Sequence, residues 1–77
     1  MMRDTPRVFI GSVVFLLEGP LDDRVVDELL LSVASLPGVR ACEHDAAAGA
    51  LVVTAGAPMD RAAVVAAIDR AGCRIRP

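Results

Sequence analysis

Apolar positions follow two rhythms along this chain. Val8 to Leu17 is nearly all apolar, interrupted by Gly11 and Ser12. Its Val, Ile and Phe content predicts strand over Val8–Ile10 and Val13–Glu18, with a bend or bulge between them. The rhythm then lengthens: Val26, Leu29, Leu30, Val33 and Leu36 recur at helical spacing. Asp22 is the natural N-cap of that helix, Asp23 favours its first turn, and Pro37-Gly38 ends it. Val39–Asp45 predicts a second strand, residues 46–49 a turn and Ala50–Ala55 a third strand, after which Gly56, Ala57 and Pro58 break the chain. Asp60 is placed to cap a second helix carrying Val64, Val65, Ile68 and Ala71 on one stripe. Gly72 stops it, and Cys73–Arg76 is a short last strand.

Strand, helix, strand, strand, helix, strand with two right-handed crossovers is the α+β, ferredoxin-like sandwich. The expected fold is a four-stranded antiparallel sheet, ordered fourth, first, third, second, with both helices on one face and the other face open. Residues 1–77 form one domain, of which residues 1–6 are expected to be a flexible leader.

Three segments carry a resemblance. Glu18-Gly19 precedes a short loop; Leu36-Pro37-Gly38-Val39 follows it at a fixed interval; Ala66-Ala67-Ile68-Asp69-Arg70-Ala71-Gly72 closes the chain. Together residues 13–76 resemble the heavy-metal-associated domain of copper chaperones and metal-pumping ATPases. That family holds its ion on a Gly-Met-x-Cys-x-x-Cys loop. Here the loop is Gly19, Pro20, Leu21, Asp22, Asp23, Arg24, Val25. Asp22 and Val25 stand where the two cysteines belong, and Pro20 stands for the Met. Thiolates suit soft ions such as Cu(I), whereas Asp22 is hard and Val25 cannot ligate. The resemblance therefore implies the fold and a link to metal trafficking, without the usual ligands.

Composition narrows the classes. Hydrophobic residues make up 55% of the chain and mean hydropathy is +0.54, which excludes a disordered segment. The net charge of -2 gives no basic surface for nucleic acid. Arg3 and Arg7 before an apolar run imitate a signal peptide, but Glu18-Gly19-Pro20 replaces a cleavage site and ten apolar residues are too few to span a bilayer. A cytoplasmic location with two free thiols is expected. A single histidine, and serines without a placed base, leave no catalytic constellation, so an enzyme is not expected.

The remaining candidates are few. Cys73 takes the place of an aromatic after Ala-Gly and should lie near the Pro20–Asp23 loop. With Asp22 or Asp23 it is the one place for a weakly bound Zn or Cu ion; otherwise it is a small hydrophobe, and no cofactor is expected. The acidic cluster Asp22, Asp23, Asp27 and Glu28 fits a helix N-terminus and a solvated face. Cys42 and His44 share one face of the second strand but lack a third ligand. A Cys42–Cys73 disulfide would have to cross three strand spacings, roughly 14 Å, where a bridge needs less than about 7 Å between Cα atoms. Finally, Val14, Leu16 and Val52 should stand on the open sheet face, and Leu31 on the first helix, as surplus apolar surface. These residues are the expected interface with a protein partner, an adjoining domain or a second copy. The expected function is docking or regulation; a remodelled metal site and a homodimeric assembly module are the alternatives.

Overall fold

The computed structural model describes residues 8–76. The predicted leader, residues 1–6, and Arg7 lie outside them. The elements are β1 (Val8–Leu16), α1 (Asp23–Ala34), β2 (Val39–Asp45), β3 (Ala50–Asp60) and α2 (Arg61–Arg70). They make a three-stranded antiparallel sheet in the order β1-β3-β2, backed by two helices.

The expected fourth strand is reduced to a single bridge, Leu17 to Ile75. Glu18 N donates to Arg74 O at 2.8 Å and Arg76 N to Leu16 O at 2.8 Å. Gly19, at φ 66, then turns the chain out of line. Only Leu16 to Glu18 lie beside Arg74 to Arg76, too short a run for a ladder.

β1 is one strand and not two. Gly11 takes φ 89 without ending the pairing, because the irregularity falls on the partner strand between Phe9↔Met59 and Gly11↔Ala55. The same pairing carries β3 past the predicted break to Asp60: Gly56–Pro58 bulge opposite Ile10, and Val8 and Phe9 re-engage Asp60 and Met59. β2 matches its predicted bounds and carries a bulge at Arg40.

Alternation along the strands sets the core. Phe15 and Leu17 on one side, and Leu51, Val53 and Ala55 on β3, are buried under Leu29 and Val33 of α1 and Val64, Ala67 and Ile68 of α2. The inward stripe of α2 is thus 64, 67, 68 and 71. Val65 faces outward at 38% exposed, because the i, i+3, i+4, i+7 spacing from Val64 puts Ala67 and not Val65 on the inward face. Both helix starts use the predicted caps: Val25 N donates to Asp22 Oδ1 and Ala62 N to Asp60 Oδ1, each at 2.9 Å. α2 ends with Gly72 at φ 89; Gly72 N donates to Asp69 O and Cys73 N to Ile68 O, the six-to-one closure of a Schellman motif.

Candidate functional site

The loop from Gly19 to Asp22 leads from the end of β1 into α1, and its last residue is committed to the helix. Asp22 is extended at φ -81, ψ 165, which turns its carboxylate onto the exposed first-turn amide of Val25. Val25 in turn packs its side chain against the core. The two positions that carry the ligand pair in the family resembled are therefore joined here by a backbone-to-carboxylate hydrogen bond. Asp23, the first residue of α1, is exposed and stands at the positive end of its dipole.

Cys73 comes to this loop along the returning chain. An open groove of about 700 Å³ has Gly19, Pro20 and Leu21 on one wall and Cys73 and Arg74 on the other. A second groove of about 320 Å³, walled by Val65 and Asp69, meets the first at Cys73 and Glu18. Neither Asp22 nor Asp23 lines either groove. The Cys73 thiol is only 3% exposed, and burial raises its pKa above the ordinary thiol value. A ligating thiolate needs the opposite. Its neighbour across the Schellman closure is Ile68, also buried, which is the apolar contact that closure usually brings.

Cys42 and His44 share a face of β2, and the Cys42 Sγ donates to Leu30 O at 3.6 Å on α1. Burial raises this thiol's pKa too. Both cysteines are free. Among the described residues no three of His, Cys, Asp and Glu gather as a metal-ligand set. The donors present do not make a soft-ion set at this loop: Asp22 is a hard oxygen donor that already caps α1, and the one nearby thiol, Cys73, is buried.

Of the four expected interface residues, three come together. Val14 is 54% and Leu16 is 46% exposed on the open sheet face, and Val14 stands opposite half-buried Val52. Leu31, 67% exposed, lies on α1 and so on the far side of the sheet from them. Val8 and Ile10 were not among the expected residues. They continue the same face at 54% and 65% exposed, so this segment extends the apolar surface and does not fold across it. The signal lay in the period of two, which runs from Val8 to Leu16 through Gly11 and Ser12 without a slip.

Two solved structures share this architecture. The fold is that of the N-terminal domain of PacS from Synechocystis PCC6803. The likeness to that domain has a TM-score of 0.70 and 25% identity, over 84% of this chain and 92% of the other. A second chain, from a structure concerned with crosstalk between Cu(I) and Zn(II) homeostasis, aligns with a TM-score of 0.74 and 25% identity, over 84% of this chain and 94% of its own. No family model and no curated protein matches the chain. No helix among the described residues is long and apolar enough to cross a membrane.

Proposed function

We propose that this chain is a non-enzymatic domain of the heavy-metal-associated type that no longer carries metal on its loop and serves in docking or regulation. Its partner would be another domain or protein of the metal-trafficking machinery, such as a metal-transporting ATPase. The observation that carries the reading is the bond from Val25 N to Asp22 Oδ1. It gives the Asp22 side chain a helix-capping task at a position where a metal-carrying relative has a thiolate, which supports the reading. The fold likeness to the PacS N-terminal domain supports the trafficking setting, and the apolar open face supports docking.

The test is a titration of the reduced protein with Cu(I) and Zn(II) against a competing chelator, alongside Cys73→Ala and the double variant Asp22→Cys with Val25→Cys. The natural chain should bind neither ion more tightly than about micromolar. The double variant should take up one equivalent of Cu(I), since the loop scaffold is retained. Stoichiometric binding by the natural chain that disappears in Cys73→Ala would replace this reading with a remodelled metal site.

A further inference from the structure

We propose that β1 pairs, antiparallel and edge to edge, with β1 of a second copy, joining two three-stranded sheets into one of six strands. The inference does not depend on the metal reading, because it rests on the backbone of β1.

Leu17 N donates to Gly49 O at 2.8 Å, which makes Leu17, Phe15 and Val13 the residues whose backbone groups face β3. By alternation, the N–H and C=O groups of Ser12, Val14 and Leu16 point away from β3. Leu16 O is taken by Arg76 N. Among the described residues no backbone group meets those of Ser12 and Val14. The side chains flanking this unpaired row are Val8, Ile10, Val14 and Leu16, each 46% to 65% exposed.

The two edges of the sheet are treated differently. β2 carries Arg40, Glu43, His44 and Asp45 and a bulge, the usual deterrents to pairing. β1 has no charge and no proline from Val8 to Leu16. The lack of charge is what favours a second copy as the occupant. A two-fold axis sets a strand against itself, so any charged side chain on it would face or neighbour its own like; β1 offers only aliphatic, aromatic, glycine and serine positions. The set of outward donors and acceptors is likewise self-complementary in an antiparallel pair. Because the other edge is guarded, the assembly closes at two copies. The register leaves Leu16 outside, since Arg76 already holds it. The contact is therefore short, below the roughly 1,200 Å² of a standard interface, and a weak, reversible dimer is expected.

Sedimentation equilibrium from micromolar to about millimolar protein should show a monomer–dimer equilibrium with Kd between about 10⁻⁵ and 10⁻³ M. Val14→Pro and Ser12→Pro each remove an outward N–H and no β1–β3 backbone bond, so the edge is blocked while the ladder stays; Ser12→Pro also loses the exposed hydroxyl contact to Thr54 Oγ1 at 2.9 Å, which makes Val14→Pro the cleaner variant. Each should weaken the dimer at least tenfold, whereas Leu31→Asp on α1 should not. Amide hydrogen exchange on the unaltered protein decides the case should a proline variant fail to fold: Ser12 and Val14 amides should become protected only at dimer-forming concentration. A monomer at millimolar protein, a dimer untouched by both prolines, or exchange at Ser12 and Val14 independent of concentration would each overturn the proposal.

Discussion

Replacing Asp22 separates its two conceivable roles, helix cap and metal ligand, because they respond to different atoms. As a cap, the side chain matters for one acceptor oxygen, the Oδ1 that takes the Val25 N–H at 2.9 Å. Asp22 O already accepts from Val26 N at 3.0 Å, and that bond survives any substitution. Asp22→Ala leaves one first-turn donor to water, at about 1 kcal/mol, and loses the charge at the helix N-terminus as well, so its cost is that of the cap added to that of the charge. In a domain of this size each kcal/mol lowers Tm by about 4–8 °C. Asp22→Asn keeps an acceptor of the same shape and loses only the charge at the helix N-terminus, about 0.3–1 kcal/mol at an exposed site. Asp22→Ser should behave like Asn. Thermal and urea unfolding followed by circular dichroism gives the order Ala well below Asn and Ser, all below the parent. The same melts in excess Zn(II) give the second readout, since an ion bound only to the folded state raises stability by mass action. The reasoning is refuted if Asn destabilises as much as Ala, or if Zn(II) raises the parent's Tm and not that of Asp22→Asn. Either result would mean that the carboxylate charge holds something other than Val25 N.

Gly72→Ala places a side chain at φ 89, where the added Cβ meets nothing within 4 Å; the expected loss of about 1–2 kcal/mol is pure backbone strain and should appear unchanged in urea titrations at any salt. Leu29→Ala empties a fully buried site and should cost about 2–5 kcal/mol, against less than about 0.5 kcal/mol for Leu31→Ala on the exposed side of the same helix. Burial raises the Cys73 and Cys42 thiols above their ordinary value. The unfolded chain therefore loses these protons first, so their contribution is whole below the ordinary thiol range and is lost as pH rises through the folded values. The chain has no Lys and no Tyr to titrate nearby. The urea midpoint should fall on the alkaline side and flatten in the Cys42→Ala, Cys73→Ala double variant; an equal fall in that variant would exclude the thiols as its cause.

Both helix starts and the stop of α2 were legible because each is decided by chemistry within four residues, whereas α1 ends at Ala34 with Ser35 as its cap, before Leu36 and the expected Pro37-Gly38 stop. Asp22 and Asp60 cap, and Gly72 takes a left-handed φ, whatever the rest of the fold does. The strand limits were less legible because pairing decides them from a distance. Gly56-Ala57-Pro58 looks like a break in isolation, yet Phe9 and Val8 across the sheet recapture Met59 and Asp60 and turn the break into a bulge. The fourth strand failed for the converse reason: Gly19 turns the neighbouring chain away after Glu18, whatever strand propensity residues 73–76 have. On α2 the buried set 64, 67, 68 and 71 is the regular i, i+3, i+4, i+7 face; Val65 was drawn into the expected stripe by its apolar character, although it lies off that face.

The loop raises the same question at the level of function. Here position 22 supplies the oxygen the first turn needs, and position 25 supplies both the amide that uses it and an aliphatic side chain packed on the core. Cys73, at the far wall of the groove, completes a Schellman closure with its amide and faces inward with its thiol. Asp22 is thus engaged as a cap and the Cys73 thiol is turned inward, while Asp23 stays exposed to water. Thiolates placed at 22 and 25 would have to overcome the loss of a cap worth about 1 kcal/mol and of a half-buried valine. The unsatisfied groups lie elsewhere, along β1, where aliphatic side chains meet water and the amides of Ser12 and Val14 have no protein partner among the described residues. Free energy available for binding resides where groups are unsatisfied, and in this chain that is the strand edge and its open face.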